Sequence, residues 1–84
     1  MTLAPTPLTD LATDEEGAVM QLTGGKILVS RLATLGFTPG APLRMIRNYG
    51  HGPIIVRVRD TRIALGRGEA TKIMVQRRNS RGSL

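Results

Sequence analysis

The most constraining feature of this sequence is the hexapeptide Leu35-Gly36-Phe37-Thr38-Pro39-Gly40, which separates a helix-like segment from a strand-like one. Gly36 can adopt the left-handed backbone conformation that commonly ends a helix. Pro39 fixes φ and Gly40 permits a positive φ, so this pair favours a turn. The hexapeptide therefore predicts that a helix ends here, that the chain turns back, and that a sheet follows.

One short strand and one short helix are predicted before this turn. Apolar residues alternate in part over Glu16–Leu22, which fits a strand, and Gly24-Gly25 then interrupts the pattern. From Lys26 the apolar spacing becomes that of one helix face, formed by Leu28, Leu32 and Leu35. The helix is predicted to end at Gly36, and at about 10–12 residues it depends on packing for its stability.

Four strands joined by short turns are predicted after the hexapeptide, because the apolar period becomes two. These strands cover residues 43–47, 54–59, 62–65 and 73–75. Turn-forming residues over 48–53 predict a hairpin loop, Asp60-Thr61 predicts a tight turn, and residues 66–71 predict a turn of 3₁₀ helix.

About five short strands around one aliphatic core predict a mostly β fold and a small closed barrel, since closure removes exposed sheet edges. The core must be aliphatic because Phe37 and Tyr49 are the only aromatic residues. Tyr49 lies beside the hairpin loop and is a candidate exposed anchor. Ten residues are predicted to be core by periodicity: Leu28, Leu32, Leu35, Ile54, Val56, Val58, Ile63, Leu65, Ile73 and Val75.

The charge of the chain is divided unequally along its length. The net charge is +6, yet the first sixteen residues hold no Lys or Arg and four acids: Asp10, Asp14, Glu15 and Glu16. The rest of the chain holds all 12 basic residues against only Asp60 and Glu69. This balance indicates an acidic partner surface or a nucleic acid as the binding partner, and the acidic segment could neutralise part of the basic body.

Several segments in order give the sequence a family resemblance. The turn 36–40, the strands 43–47 and 53–58, the segment Arg62-Ile63-Ala64-Leu65 and the finish 69–75 resemble the FeoA family in order, spacing and residue type. The resemblance covers roughly residues 7–76. It implies an SH3-like β-barrel with one short helix inserted after the first strand. The same fold occurs as the C-terminal domain of DtxR-type repressors.

The resemblance also implies a function and a partner. FeoA proteins are small cytoplasmic partners of FeoB, a membrane ferrous-iron transporter with a GTP-binding domain, so membrane contact is expected only through that transporter. No catalytic set and no phosphate-binding loop motif is visible, so no enzyme activity is predicted. We expect residues 1–8 to be an extended lead-in, residues 9–76 to form the domain, and residues 77–84 to be a basic, disordered tail.

The candidate partner-binding residues are basic side chains and one loop. Arg57, Arg59 and Arg62 are predicted on the outward face of neighbouring strands with Arg44 beside them, and Tyr49 and His51 lie in the hairpin loop. The alternative interpretation is that these arginines are solvated strand positions that discourage edge pairing. The alternative function is a nucleic-acid-binding or transcription-regulatory module, which the lack of aromatic stacking residues disfavours.

Metal binding is predicted only weakly. The candidate ligands are His51, Asp60 and Glu69, with the cluster Asp14, Glu15 and Glu16 as further oxygen donors, but nothing in the sequence makes them converge. We therefore predict no required cofactor. Adventitious zinc or iron, including zinc shared between two self-associated molecules, stays open as an alternative.

Overall fold

Six antiparallel strands form one sheet in the computed structural model, which describes residues 4–78. The strands are β1 (Thr6–Pro7), β2 (Glu16–Leu22), β3 (Pro42–Arg47), β4 (Ile54–Val58), β5 (Thr61–Leu65) and β6 (Ile73–Arg78). Their spatial order is β1-β6-β2-β3-β4-β5. A 3₁₀ turn covers Leu8–Asp10, helix α1 covers Lys26–Thr34, and the short helix α2 covers Arg67–Ala70.

The mostly β fold with one helix after the first long strand is confirmed, and the strand count rises from about five to six. The additional strand is β1, in which Thr6 pairs with Val75 and Pro7 pairs with Met74. The last residues of the predicted extended lead-in 1–8 thus join the sheet, and Leu8 is completely buried. A proline suits this position, since an edge strand can dispense with one backbone donor.

The core lies on one face of the sheet and is closed by α1, α2 and the 3₁₀ turn. In β4, Ile54, Val56 and Val58 are buried while Arg57 is exposed, which is the predicted alternation. Seven of the ten predicted core residues are buried: Leu32, Ile54, Val56, Val58, Leu65, Ile73 and Val75. Leu28 and Ile63 are partly buried and pack against the core.

The prediction that Leu35 belongs to the core is wrong, because α1 ends one residue before it. Leu35 is 40% exposed and Phe37 is completely buried in its place. The Phe37 N–H donates to the Leu32 carbonyl at 3.1 Å and the Gly36 N–H donates to the Ala33 carbonyl at 3.0 Å. These are the two hydrogen bonds of a Schellman motif, and Gly36 takes the positive φ of 111° that the motif requires.

The turn between β4 and β5 lies one residue earlier than predicted. β4 ends at Val58, which pairs with Thr61, and Arg59 and Asp60 form the two-residue turn. Both turn residues have positive φ, 51° and 63°, as a type I′ hairpin turn requires. Arg59 is therefore a turn residue and does not continue the outward face of β4. The predicted 3₁₀ turn at 66–71 is instead the single α-helical turn α2.

The last strand runs two residues into the predicted C-terminal tail. β6 extends to Arg78, with Arg77 paired to Gly17 and Arg78 paired to Glu16. The reason is that β2 begins at Glu16 and offers backbone partners this far along β6. The rest of the predicted tail, 79–84, lies outside the described residues. Within residues 4–78, no helix is long and apolar enough to cross a membrane.

Candidate partner-binding face

A row of charged side chains crosses five adjacent strands on the exposed face of the sheet. The strand register pairs Arg78 with Glu16, Glu16 with Arg44, Arg44 with Arg57, and Arg57 with Arg62. Directly paired residues point to the same face of an antiparallel sheet, so these five side chains lie in line at about the 4.8 Å strand spacing. We call this set the arginine row.

The arginine row includes three residues that the sequence indicates and one that sequence reasoning misses. Arg44, Arg57 and Arg62 are exposed and lie on neighbouring strands, as predicted. Arg78 falls in the predicted tail and is therefore missed. The signal that could have found it is the period of two: Ile73 and Val75 face the core, so Met74, Gln76 and Arg78 alternate to the outer face.

Part of the arginine row lines an open groove of about 430 Å³. The groove runs beside the end of the sheet that carries the β4–β5 turn. Its lining residues are Glu16, Pro42, Leu43, Arg44, Arg57, Arg59, Asp60 and Arg78. With four arginines against two carboxylates, the groove favours an anionic occupant.

The carboxylates near the arginine row are concentrated around Arg44, at and just before β2. Arg44 lies 3.5 Å from Glu16 and 3.9 Å from Asp14, measured between guanidinium nitrogens and carboxylate oxygens. Arg57 lies 3.7 Å from Asp60, whose side chain is 95% exposed. Arg62 and Arg78 have no ion pair within residues 4–78. Arg78 lies beside Glu16 in the strand register, whereas no carboxylate lies beside Arg62 in the row. The positive charge of the row is therefore least compensated at β5.

Arg59 makes contacts that the sequence does not predict. Its Nη2 donates to the Thr38 hydroxyl at 2.8 Å. Its aliphatic stem lies over Gly36, where a Cβ would be 3.3 Å from the Arg59 Cδ. Arg59 therefore connects the β4–β5 turn to the turn that follows α1, and it also lines the groove.

The hairpin loop forms a second site that is distinct from the arginine row. Tyr49 is 69% exposed, and the Arg47 guanidinium carbon lies 5.6 Å from its ring centroid, a cation–π distance. His51 is exposed between Gly50 and Gly52, both at positive φ. The hairpin loop lies before the first residue of β4, whereas Asp60 lies after its last residue. The five residues of β4 put the two ends about 16 Å apart.

Asn48 fixes the base of this loop, and sequence reasoning misses it. Its Nδ2 donates to the carbonyls of Thr9 at 3.0 Å and Leu11 at 2.7 Å. Its Oδ1 accepts from the Gly50 N–H at 3.0 Å and from the Arg67 guanidinium. An asparagine in a turn-rich segment signals a turn, but nothing in the sequence shows partners this far away.

The three candidate metal ligands lie apart from one another. His51 and Asp60 are at opposite ends of β4, and Glu69 forms an ion pair with Arg31 of α1. Within residues 4–78, no group of three or more His, Cys, Asp or Glu side chains is placed to hold a metal ion. The prediction that no cofactor is required stays a prediction.

The N-terminal acids pair with arginines of the basic body. Besides the pairs of Asp14 and Glu16 with Arg44, the Glu15 carboxylate lies 3.0 Å from the Arg77 Nε. Arg77 also donates to the Asp10 carbonyl at 2.7 Å. Part of the basic charge is neutralised in this way at β2 and β6, which leaves β4 and β5 as the basic end of the sheet.

The fold and the arginine row define a small SH3-like domain, built on one antiparallel six-stranded sheet with one basic face. The model of the FeoA domain family matches residues 6–77 of this chain. The chain therefore belongs to the FeoA family, whose members are associated with ferrous iron transport.

Individual relatives agree with this assignment. Fe(2+) transport protein A of Methanocaldococcus jannaschii is 39% identical over 70 residues, which cover 83% of this chain and 84% of the relative. The crystal structure of an iron uptake regulatory protein, FeoA, superposes with a TM-score of 0.83 at 32% identity, covering 89% of this chain and 100% of the other. Zinc-complexed FeoA of Stenotrophomonas maltophilia, described as a prokaryotic SH3 domain protein, gives 0.71 at 30% identity, covering 84% and 89%.

The fold is also shared with part of a longer repressor. A manganese-dependent transcriptional repressor superposes with a TM-score of 0.82 at 19% identity, and the match covers 93% of this chain but 39% of the repressor. This likeness confirms the expectation that the fold occurs within metal-dependent repressors. It concerns the fold alone.

Proposed function

We propose that this protein is a cytoplasmic accessory protein of ferrous iron transport that docks on a FeoB-type membrane transporter and supports its activity. The contact is the arginine row, and the surface it meets is an acidic part of the transporter's GTP-binding region. Membership of the FeoA family supports the association with iron transport. The observation that carries the docking surface is the register that aligns Arg44, Arg57 and Arg62 on one exposed face.

The chemistry of the row favours an acidic protein surface. A guanidinium group is planar and can donate two parallel hydrogen bonds to one carboxylate, so a line of arginines recognises spaced carboxylates with defined geometry. The row is also preformed, because the hydrogen-bonded sheet holds the backbone of Arg44, Arg57 and Arg62 in place. Docking then requires only side-chain ordering, which lowers the entropic cost of association.

The relatives support an accessory role in transport. Stenotrophomonas maltophilia FeoA is described as a candidate ferrous iron transport activating factor. In this chain the proposed action is docking, with no reaction catalysed by the barrel itself. Ferrous iron is the cargo of the transporter, and any zinc or iron bound by this chain would be adventitious.

Nucleic-acid binding is the competing function, since the charge and the repressor-like fold are compatible with it. The positions of two side chains disfavour nucleic-acid binding. Phe37 is completely buried and cannot stack on a base, and Glu16 lies within the arginine row, where it would repel a phosphate backbone. Tyr49 remains as an exposed aromatic ring, but it belongs to the loop at the other end of β4.

Calorimetric titration of the full chain with the GTP-binding region of its cognate transporter tests this proposal. We expect saturable binding that weakens at least about tenfold in the double variant Arg57→Glu/Arg62→Glu. The matched control is Lys26→Glu, an exposed charge reversal on α1, which should change the affinity by less than about twofold.

Three outcomes would contradict the proposal in different ways. A loss of binding free energy in Lys26→Glu about half as large as in the double variant, which changes twice the charge, would show a general charge effect with no defined face. A loss in Tyr49→Ala with none in the double variant would move the contact to the hairpin loop. Binding to single-stranded DNA, but not to the transporter region, would favour the nucleic-acid function.

A further inference from the structure

β5 is an edge strand of the sheet that is left open to pairing. Within residues 4–78 it is hydrogen-bonded to β4 alone, and its middle residues Arg62 and Ala64 are exposed. The other edge, β1, has two residues, one of which is Pro7, and Pro5 precedes it. Short length and proline protect an edge against pairing, and β5 has neither protection.

The hairpin geometry determines which backbone groups of β5 are free. A two-residue turn makes its flanking residues Val58 and Thr61 a hydrogen-bonded pair, and hydrogen-bonded and non-hydrogen-bonded pairs then alternate. Val56 with Ile63 is therefore bonded, whereas Arg57 with Arg62 is not. It follows that the N–H and C=O groups of Arg62 and Ala64 point away from β4, toward the open edge.

We propose that an extended acidic segment of a partner protein adds to β5 as an additional strand. The backbone of Arg62 and Ala64 provides the hydrogen bonds, as in other cases of strand addition. The identity of the partner rests on the proposed function, under which the segment belongs to the transporter. The strand-addition site itself is argued from β5 alone.

The side chains of β5 define the sequence pattern of that segment. A residue placed opposite Arg62 lies on the outer face, where Arg62 has no ion pair within residues 4–78 and Arg57 has only the exposed Asp60. A residue placed opposite Ile63 lies on the inner face, where Ile63 is partly buried against the core. The fitting segment therefore alternates acidic and apolar residues.

Pairing of this edge with a second copy of the chain is disfavoured in one register. Antiparallel pairing of two β5 strands centred on Arg62 would place Arg62 opposite Arg62, and like charges directly opposite each other are destabilising. An acidic strand replaces that repulsion with attraction. The charge at this edge thus disfavours self-pairing in that register and favours an acidic partner.

The test uses the full chain and a short synthetic peptide in which glutamate and valine alternate. Fluorescence anisotropy should show saturable binding, with a peptide of alternating lysine and valine binding at least about tenfold more weakly. Ala64→Pro removes one outward N–H at an edge position that tolerates proline, and it should weaken binding at least about tenfold. Its matched control Ala64→Ser keeps the N–H and should bind within about twofold of the parent chain.

Amide hydrogen exchange of the unmodified chain gives an independent readout that does not depend on any variant. Addition of the glutamate–valine peptide should slow the exchange of the Arg62 and Ala64 amides at least about tenfold. Unchanged exchange at both amides, or equal binding by Ala64→Pro and Ala64→Ser, would overturn strand addition. The charge of Arg62 would then serve only to discourage pairing at this edge.

The two proposals fail separately. Transporter binding that is unaffected by Ala64→Pro overturns strand addition and leaves docking on the arginine row in place. Peptide binding with protected Arg62 and Ala64 amides, but no binding to the transporter region, overturns the proposed partner and supports the β5 site.

Discussion

Arg59 donates a hydrogen bond to the Thr38 hydroxyl at 2.8 Å, and this contact joins two turns that are far apart in sequence. One turn ends α1 and begins the path to β3, and the other joins β4 to β5. Arg59 makes the contact from a backbone with φ of 51°, which costs an arginine about 1–2 kcal/mol. The contact with Thr38 and the packing over Gly36 offset part of this cost.

Asp60→Gly should stabilise the protein, because the second residue of this turn also has positive φ. Glycine adopts φ of 63° without a Cβ penalty, and the Asp60 side chain is 95% exposed, so little else is lost. We expect the free energy of unfolding to rise by about 0.5 kcal/mol in urea denaturation. Asp60→Ala removes the same carboxylate without relieving the backbone, so an equal gain in that control would contradict the explanation.

Gly36→Ala should destabilise the protein more than Gly40→Ala. Both glycines have positive φ, 111° and 88°, so each substitution carries a backbone penalty of about 1 kcal/mol. Only Gly36 has Arg59 packed against it: a Cβ added at Gly36 would lie 3.3 Å from the Arg59 Cδ, whereas a Cβ at Gly40 meets nothing within 4 Å. We expect a total loss of about 2 kcal/mol for Gly36→Ala in thermal denaturation. If the two losses are equal, the packing of Arg59 contributes nothing.

The elements of this fold are predictable because their signals are local. The alternation in Ile54–Val58 and the helix-ending glycine Gly36 each lie within a few residues, and both predictions are confirmed. Leu35 is misassigned because its helical spacing fits the apolar stripe, while the Schellman motif that excludes it is a tertiary outcome of burying Phe37. Arg59 is misassigned because an arginine at positive φ runs against its own preference.

The candidate site is less predictable than the fold because it depends on strand register. The sequence indicates that Arg44, Arg57 and Arg62 face outward, but only the pairing places them in one line. Arg78 joins the line through Glu16, a residue far away in sequence. The hydrogen bonds of Asn48 also cannot be predicted from the sequence, because they depend on where the N-terminal segment crosses the hairpin loop.

Asn48→Ala should be among the more destabilising single changes outside the core. It leaves the carbonyls of Thr9 and Leu11 and the guanidinium of Arg67 without their partner in a partly buried position. We expect a loss of about 2–3 kcal/mol in the free energy of unfolding, measured with urea. Thr13→Ala is the control, since Thr13 bonds the backbone of the same residue at an exposed site and should lose less than about 1 kcal/mol. Similar losses in both variants would contradict a special role for the Asn48 amide.

Truncation of the two aromatic residues should have very different effects on the stability of the protein. Phe37 is completely buried, so Phe37→Ala should cost about 3–5 kcal/mol of unfolding free energy. Tyr49 is 69% exposed, so Tyr49→Ala should change stability by less than about 0.5 kcal/mol. Thermal denaturation of the two variants compares them directly. A large loss in Tyr49→Ala would mean that the hairpin loop packs more closely than its exposure indicates.

Glu16→Gln should strengthen binding to the transporter's GTP-binding region if the arginine row is the contact. Glu16 is the acid within the row and lies 3.5 Å from Arg44, so its neutralisation raises the positive potential of that face without removing an arginine. We expect binding about two- to fivefold tighter at low salt, with the gain shrinking as salt screens the charges. The matched control is Glu69→Gln, which makes the same charge change beside Arg31 of α1 and should leave the affinity nearly unchanged. Equal gains in both variants would show that the partner responds to net charge, whereas a gain confined to Glu16→Gln would place the contact on the arginine row.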